Sequence, residues 1–387
     1  MAGPFAFDVV RRDAGARLGR LRLAHGTIDT PAFMPVGTRG AVKGVTTASL
    51  AEVGADILLA NTYHLHLRPG DDLVARAGGL HRFMGWSGPV LTDSGGYQVF
   101  SLAARRSIAE DGVVFASPID GRRHRLTPES VVDIQARLGS DITMVLDECP
   151  SWPATEAAAA DAVARTARWA ARARARFLTL AAGGEAGVPR ATPGQGQFGI
   201  VQGGTWTALR ERSVAETLEV GFDGYAIGGL SVGEPVEMMY EIVGHTASRL
   251  PEDQPRYLMG TGMPDDLVES VARGIDLFDC VLPTRNARNG QLFTRRGPMA
   301  IKNARYAEDT RPIDPECGCP TCRTHSRAYL RYLFVAGEMT AATLNTLHNL
   351  YFYLDTMRAI RKAIEFGTFA AFRRAFLEAY SRQPSNV

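Results

Sequence analysis

Residues 197–229, QFGIVQGGTWTALRERSVAETLEVGFDGYAIGG, contain the pattern that decides the fold of this 387-residue chain. Two short apolar runs, at 197–202 and 223–229, flank a segment at 206–219 whose residues favour a helix. The apolar runs are continuous rather than alternating, which is typical of parallel strands covered on both faces. The stretch therefore predicts a strand–helix–strand unit with parallel strands.

The same unit recurs along the chain. Further runs with the composition of buried strands lie at 31–36, 56–61, 89–93, 141–147, 256–261 and 276–282. Helical patterns lie at 49–54, 71–79, 128–139, 154–182, 234–248 and 264–273. Eight strands alternating with helices predict an α/β protein with a (β/α)8 TIM barrel. An open doubly wound sheet is the alternative, but no G-x-G-x-x-G follows the first strand.

Three other segments do not follow the alternation. Residues 112–127 have the pattern of a hairpin with its turn at Asp120-Gly121. Residues 183–196 are rich in Gly and Pro and predict a surface loop, to which we assign no role. After the eighth strand, helical patterns follow at about 325–337, 339–364 and 368–381.

Composition narrows the function classes. Apolar residues make up 45% and charged residues 22%, which is typical of a folded globular chain. No apolar run reaches the roughly 18 residues of a membrane span, and the N-terminus lacks the apolar core of a secretory signal. We therefore expect a cytoplasmic protein without membrane contact. Residues 1–284 carry a net charge of −6 and residues 285–387 one of +8, so the C-terminal part favours a polyanionic partner or presents a solvated basic face.

Polar side chains end several of the predicted strands. In a barrel of this class, chemistry is carried out at the carboxyl ends of the strands. Carboxylates suit glycosidic chemistry, in which one attacks the sugar carbon and another moves a proton, and glycines let a flat ligand approach the backbone. Asp147 and Gln202 could bind the polar edge of a heterocycle, and Tyr97 and Met259 could cover its faces. A helix cap or turn is the alternative role for each aspartate. The residues concerned are Asp93, Asp147, Gln202, Gly228, Gly229, Leu230, Met259 and Asp279.

Three of the five cysteines form a C-x-C-x2-C cluster at 317–322, the spacing of metal ligands rather than of a disulfide framework. A tetrahedral zinc site needs a fourth ligand. His348 is favoured because a distant ligand would attach its amphipathic helix to the loop, and His325 is the alternative. A Cys3His site is saturated by protein ligands and should be structural.

Taken together, these motifs resemble the bacterial tRNA-guanine transglycosylases, the queuine tRNA-ribosyltransferase family. The similarity runs in order from about residue 31 to about residue 380. It rests on DSGGYQVF, DECP, GIVQGG, GGLSVGE, YLMGTG, FDCVLPTRNARNG and the cysteine cluster with a distant TLHN.

The resemblance implies a pentosyltransferase of queuosine biosynthesis. Such enzymes exchange guanine at the anticodon wobble position for 7-aminomethyl-7-deazaguanine through a covalent aspartyl–ribose intermediate. Their substrates are the tRNAs for aspartate, asparagine, histidine and tyrosine, which share a U-G-U anticodon loop. The family also implies one structural Zn2+ per chain, no organic cofactor, and a homodimer.

The resemblance further implies roles for individual residues. Asp279 would be the nucleophile and Asp93 the general acid/base. The base would be bound by Asp147, Gln202, Gly229, Leu230, Tyr97, Met259 and Cys149. The zinc ligands would be Cys317, Cys319, Cys322 and His348. Contacts to the tRNA anticodon stem-loop are expected from Arg285, Arg288, Arg295 and Lys302.

We expect three segments: a barrel carrying the active site at 1–284, a zinc-binding and tRNA-contacting subdomain at 285–350, and C-terminal helices at 351–387 that complete the packing. Two other functions compete with base exchange. A barrel glycoside hydrolase would use the same carboxylates on carbohydrate, and a non-catalytic tRNA-binding subunit would bind RNA without forming an adduct.

Overall fold

The computed structural model of the chain describes residues 5–102, 106–183, 188 and 192–380. Its strands are β1 (Ala6–Asp13), β2 (Ala16–Leu23), β3 (Gly26–Thr30), β4 (Ala32–Pro35), β5 (Leu58–Ala60), β6 (Val90–Thr92), β7 (Arg106–Ala109), β8 (Gly112–Ala116), β9 (Arg123–Leu126), β10 (Ile142–Met144), β11 (Gly196–Val201), β12 (Gly224–Ile227), β13 (Arg256–Leu258), β14 (Leu277–Cys280), β15 (Gln291–Thr294) and β16 (Gly297–Ala300).

The helices are numbered in the same way, and a 3-10 turn lies at Ala304–Tyr306. They are α1 (Thr47–Glu52), α2 (Thr62–Leu67), α3 (Asp71–Arg76), α4 (Gly79–Met84), α5 (Gly96–Leu102), α6 (Pro128–Leu138), α7 (Glu156–Ala182), α8 (Thr207–Val220), α9 (Val236–Ala247), α10 (Pro264–Val271), α11 (Leu282–Arg288), α12 (Pro320–Thr324), α13 (Arg327–Val335), α14 (Met339–Glu365) and α15 (Phe369–Ala379).

Eight parallel strands form the central sheet, in the order β4, β14, β13, β12, β11, β10, β6 and β5. The first and last strands of this order are joined by a parallel bridge between Val36 and Leu59, so the sheet closes on itself. Helices lie between successive barrel strands along the chain. The predicted (β/α)8 barrel is confirmed, and each of the eight predicted strands overlaps one barrel strand.

Local sequence accounts for where the helices begin. Thr127 caps α6 by accepting from the Ser130 backbone N–H, and Pro128 occupies the first helical position. The long helix α7 begins after Thr155, which accepts from the Ala158 backbone N–H in the same way. The helices predicted at 128–139 and 154–182 are therefore confirmed within two residues at each end.

The N-terminal strands β1 to β3 form an antiparallel sheet that the sequence pattern did not predict. This sheet covers the amino ends of the barrel strands. Arg17 of β2 forms a fully buried ion pair with Asp276, the residue before β14. The Arg17 guanidinium also donates to the carbonyls of Glu252 and Gln254, each at 2.9 Å. A buried ion pair with additional hydrogen bonds thus joins the N-terminal sheet to the amino end of the barrel, which we call the barrel floor.

The structure describes one of the two predicted insertions in full and the other only in part. The hairpin at 112–127 is present as β8 and β9, and β7 joins it as a third antiparallel strand. In the loop predicted at 183–196, residues 184–187 and 189–191 lie outside the described residues.

The chain after β14 packs around helix α14. This helix contacts α11, α12, α13 and β15 of the C-terminal part, and also β1, β2 and β4 of the main body. Positions 350 and 351, where we expected a segment boundary, lie within this single helix. Within the described part of the chain, no helix has the length and apolar character needed to cross a membrane.

Candidate active site and metal centre

Polar side chains meet at the carboxyl ends of four barrel strands. Asp93 directly follows β6, Gln202 directly follows β11, Asp147 lies three residues beyond β10, and Asp279 lies within β14. Every residue of the eight barrel strands is buried except Asp279, which is partly exposed. A carboxylate on the one strand residue that is not fully buried, at this end of the barrel, has the placement of a reacting group.

Asp93 is buried and held through both carboxylate oxygens. The Thr62 backbone N–H donates to Oδ1 at 2.9 Å, and the Asn61 side-chain amide donates to Oδ2. Burial raises the pKa of Asp93 from 3.8 to about 7, and the nearby Asp279 charge adds to the rise, although the bonds from Asn61 and Thr62 oppose it. A carboxyl group with a pKa near 7 can both donate and accept a proton at neutral pH.

Asp279 is held through one oxygen. The Tyr257 hydroxyl donates to Oδ1 at 2.5 Å, and the Gly260 backbone N–H donates to the same atom at 2.9 Å. Both hydrogen bonds found for this carboxylate among the described residues are on Oδ1, which leaves Oδ2 for a substrate. Desolvation by the surrounding protein raises the pKa of Asp279, while the bonds from Tyr257 and Gly260 oppose the rise.

Asp147 and Gln202 form a polar pair beside these carboxylates. Gln202 Nε2 donates to Asp147 Oδ2 at 2.6 Å, and Ser94 Oγ donates to Oδ1 at 3.4 Å. Burial raises the pKa of Asp147 to about 6. Gln202 is fully buried, yet its Oε1 has no hydrogen-bond partner among the described residues. A buried amide oxygen without a donor is costly, so this atom is poised to accept from a ligand.

Gly229 lies against Gln202 and can only be glycine. Its φ of +68° is in the left-handed region, and a Cβ there would stand 2.3 Å from Gln202 Oε1. The next residue, Leu230, is buried. The backbone of this turn therefore approaches the polar pair as closely as a flat ligand site requires.

Three further predicted residues lie around the mouth. Tyr97 is 54% exposed on α5, and Met259 follows β13 and packs against the core. The two side chains therefore project from elements that follow different barrel strands. Burial and the charge of Asp147 raise the pKa of Cys149 to about 12, so its thiol is protonated at neutral pH and is a neutral lining group rather than a nucleophile.

The structure brings the three clustered cysteines together with one histidine. His348 Nδ1 lies 3.7, 3.5 and 3.3 Å from the sulfurs of Cys317, Cys319 and Cys322. His348 Nε2 lies 2.7 Å from the Phe293 carbonyl oxygen, so it carries the proton and leaves the Nδ1 lone pair directed at the sulfurs. These four side chains can hold a metal ion.

His325 is not part of this cluster. Its ring stacks on Tyr329, with centroids 5.2 Å apart. Of the two histidines considered from the sequence, His348 is the one that completes the group of four.

A second group of possible ligands, His25, His81 and Asp141, lies at the opposite end of the barrel. Hydrogen bonds join Asp141 to His25 Nδ1 at 2.8 Å and to His81 Nε2 at 2.9 Å. The two imidazole rings stack with centroids 3.5 Å apart and planes 16° apart, and each ring uses one nitrogen in its hydrogen bond with Asp141. We interpret this group as a hydrogen-bonded cluster that ties the N-terminal sheet to the barrel floor.

The four predicted RNA-contacting side chains differ in their surroundings. Arg285 and Lys302 are exposed. Arg288 Nη1 donates to the Thr284 carbonyl at 2.8 Å within its own helix. Arg295 is ion-paired with Glu316 at 2.9 Å and with Asp355 at 3.3 Å, so its charge is already partly neutralised by protein.

Sequence reasoning missed two residues that hold the carboxylates. Asn61 follows β5, so the strand-end rule that found Asp93 could have found it as well. Tyr257 lies inside the buried strand β13, where its apolar neighbours give no sign of a hydroxyl that reaches Asp279.

The fold and the site define a class of protein: a (β/α)8 barrel with a carboxylate-lined mouth and a separate Cys3His metal-binding group. The sequence model of the family described as queuine tRNA-ribosyltransferase matches residues 13–382. The chain belongs to this family.

Individual relatives agree with this assignment along their whole length. A queuine tRNA-ribosyltransferase of Solidesulfovibrio magneticus is 55% identical over 373 residues, 96% of this chain and 97% of that protein. One of Aromatoleum aromaticum is 57% identical over 361 residues, 93% of this chain and 95% of that protein. One of Pelotomaculum thermopropionicum is 51% identical over 380 residues, 98% of this chain and 99% of that protein.

Proposed function

We propose that the chain is a tRNA-guanine transglycosylase that exchanges guanine at the anticodon wobble position for 7-aminomethyl-7-deazaguanine, in queuosine biosynthesis. One observation carries the proposal. The carboxylate of Asp279, a partly exposed residue, lies near a buried carboxyl of raised pKa, Asp93, and beside a polar pair with an unsatisfied amide oxygen. A candidate nucleophile, a candidate proton carrier and a pair of side chains suited to bind a base thus lie together at the mouth of the barrel.

In the proposed reaction, Asp279 is the nucleophile. Its free Oδ2 attacks C1′ of the wobble ribose while the bond from C1′ to the guanine nitrogen breaks and the base takes the electron pair. The departing base receives a proton from Asp93, which is suited to this role by its pKa of about 7. The incoming base gives the proton of its own ring N–H to Asp93 as that nitrogen attacks C1′, and the bond from C1′ to Asp279 breaks to release the carboxylate. Two displacements retain the configuration at C1′.

The base is read by the polar pair. Asp147 and Gln202 would bind the Watson–Crick edge, where Gln202 Oε1 gains the donor that it lacks among the described residues. The backbone of Gly229 and Leu230 would complete the pocket, with Cys149 as a neutral lining group. Tyr97 and Met259 would cover the two faces of a base splayed out of its stack.

The Cys3His cluster fits zinc. Tetrahedral zinc with Zn–S bonds of about 2.3 Å and Zn–N bonds of about 2.0–2.1 Å places sulfur and nitrogen about 3.6 Å apart. The distances of 3.3–3.7 Å from His348 Nδ1 to the three sulfurs match this value. Zinc would tie the loop at 317–322 to α14 and would be structural, since all four positions are protein ligands.

The RNA would lie across the mouth towards the basic C-terminal part. Arg285, Arg288 and Lys302 are the candidates for phosphate contacts. Arg295 would contact a phosphate only after the RNA displaces its carboxylate partners, Glu316 and Asp355. The substrates would be the U-G-U tRNAs for aspartate, asparagine, histidine and tyrosine, and the activity would be cytoplasmic. In this division of labour, residues 1–284 carry the chemistry, residues 285–350 carry zinc and RNA contacts, and residues 351–387 pack the two together.

A second copy of the chain would cover an exposed apolar stripe on α13 and the start of α14. Tyr332, Val335 and Met339 are 64%, 62% and 87% exposed, and Tyr329 lies one turn before them. Tyr329, Tyr332 and Val335 follow one another at spacings of three residues within α13, which places them on one side of that helix, and Met339 is the first residue of α14. Such a stripe is suited to a homodimer interface. Sedimentation of Tyr332→Asp as a monomer beside a dimeric parent chain would be the expected result.

Guanine exchange tests the proposal directly. Purified protein is incubated with labelled guanine and an unmodified U-G-U anticodon stem-loop, and label at the wobble position is measured. The parent chain and Asp29→Asn, altered at an exposed carboxylate of the N-terminal sheet, should incorporate label. Asp279→Ala should not. Incorporation by Asp279→Ala at the parental rate would contradict the mechanism, and RNA binding without incorporation by the parent chain would favour a binding subunit.

A further inference from the structure

Arg210 is a buried cation that the proposed mechanism does not use. It lies in the first turn of α8 and is fully buried. None of the carboxylates in the described residues forms an ion pair with it. Burial lowers the pKa of Arg210 to about 10, although the charge of Glu234 opposes the fall. An uncompensated charge in a protein interior is costly, and an apolar side chain of similar volume would serve folding as well or better.

The guanidinium clamps the backbone on both sides of Gln202. Nη1 donates to the Val201 carbonyl at 2.9 Å, and Nε donates to the Gly204 carbonyl at 2.9 Å. A third contact from the same helix fixes the residue between them, because the Gln202 backbone N–H donates to Ser213 Oγ at 3.0 Å. Helix α8 therefore determines where the Gln202 side chain begins.

The clamp also reaches the opposite wall of the base pocket. The Val201 carbonyl that accepts from Arg210 accepts from the Gly228 backbone N–H as well, at 3.0 Å. The remaining nitrogen, Nη2, has no partner among the described residues and lies 3.7 Å from where a Cβ of Gly229 would stand. The Arg210 side chain thus contacts the 201–204 backbone and also lies close to the Gly229 turn. Gln202 Oε1, which has no donor among the described residues, lies between these two segments.

We propose that Arg210 is a positioning residue for base recognition: its planar fork fixes the 201–204 backbone so that the Gln202 amide faces the free base against the Gly229 turn. This inference rests on the proposed function of the same site. Because Arg210 acts on the base reader and not on the carboxylates at C1′, its loss should weaken binding of the free base more than binding of RNA.

The chain offers a matched control in Arg256. This arginine is also buried, and its guanidinium also donates to two backbone carbonyls, those of Pro251 and Leu250. Its pKa is also lowered to about 10, chiefly by burial. It begins β13 at the barrel floor, at the opposite end from the base pocket. Arg256→Met therefore removes an equivalent clamp without touching the site.

The experiment compares Arg210→Met, Arg210→Lys and Arg256→Met with the parent chain. KM is measured separately for guanine and for the U-G-U stem-loop, together with the melting temperature. Losing charged hydrogen bonds that orient the reader should raise KM for guanine by about tenfold or more in Arg210→Met, with KM for RNA within about twofold of the parent. Arg256→Met should lower the melting temperature and leave both KM values unchanged.

The Arg210→Lys variant keeps the positive charge but loses the guanidinium fork, so it separates the effect of geometry from that of charge. It also replaces Arg210→Met in the experiment if Arg210→Met does not fold. A single ammonium cannot span two carbonyls as the guanidinium fork does, so KM for guanine should rise here too. A parental KM for guanine in either folded Arg210 variant would overturn the inference, as would an equal rise in Arg256→Met. Absence of exchange in the parent chain would instead refute the proposed function, so the two failures are distinguishable.

Discussion

The free energy of unfolding of an Asp93→Asn variant, compared with that of the parent chain, should increase as pH rises. The pKa of Asp93 is raised by burial from 3.8 to about 7, so the folded chain binds this proton more tightly than the unfolded chain does. The resulting stabilisation is complete below pH 3.8 and is lost as pH rises through 7. An asparagine side chain cannot ionise, so the Asp93→Asn variant avoids the cost of a buried carboxylate.

The size of the effect follows from the two pKa values. With a pKa of about 7 for the folded chain and 3.8 for the unfolded chain, linkage gives about 3 kcal/mol of stabilisation at pH 5 and almost none at pH 8. The free energy of unfolding of Asp93→Asn minus that of the parent should therefore rise by about 2–3 kcal/mol between these pH values. The constant part, which includes the changed bonds to Asn61 and Thr62, cancels in this comparison.

Urea denaturation of both proteins at several pH values between 5 and 8 measures this difference. Asp29→Asn is the matched control, because this exposed carboxylate is paired with Arg20 at the surface and its loss should change stability by less than about 1 kcal/mol at any of these pH values. A difference between Asp93→Asn and the parent that stays flat, or that falls as pH rises, would refute the view of Asp93 as a buried proton carrier.

Three further substitutions test other parts of the account. Tyr257→Phe removes the hydroxyl that orients the nucleophile and should lower kcat for guanine exchange by about tenfold, with little change in KM; an unchanged kcat would contradict this role. His348→Ala should abolish metal binding, measured by elemental analysis, and lower the melting temperature, whereas His325→Ala should retain the metal; equal metal content in both variants would refute the ligand set. Arg17→Met strands the buried Asp276 carboxylate and should cost about 3–5 kcal/mol in urea denaturation, and a loss below about 1 kcal/mol would show that the pair is dispensable.

The barrel could be predicted from the sequence because its strands are covered on both faces. A run such as QFGIVQ needs no partner to be recognised, and β11 begins and ends within one residue of it. Strands β1 and β2 mix charged residues with apolar ones on a partly exposed sheet, and their pairing depends on the barrel floor that they cover. A pattern based on continuous apolar runs therefore could not find them.

Only those site residues that follow a predicted barrel strand could be predicted from the sequence. Asp93 and Gln202 follow barrel strands, so topology alone places them at one mouth. The sequence did not reveal the groups that tune them, because Tyr257 and Arg210 lie in a buried strand and a helix and act through contacts across the fold. The ion pairs of Arg295 are of the same kind, since the partners Glu316 and Asp355 lie 21 and 60 residues away.

In the proposed reaction, Asp279 forms a covalent bond with the ribose of the substrate RNA. Protein incubated with the U-G-U stem-loop, quenched by denaturation and examined by intact mass spectrometry measures this bond directly. We expect a species with the mass of the protein plus the RNA lacking one guanine, with the modified peptide containing Asp279, and no such species in Asp279→Asn. An adduct that persists in Asp279→Asn, or that maps to Asp93, would show that Asp279 is not the nucleophile.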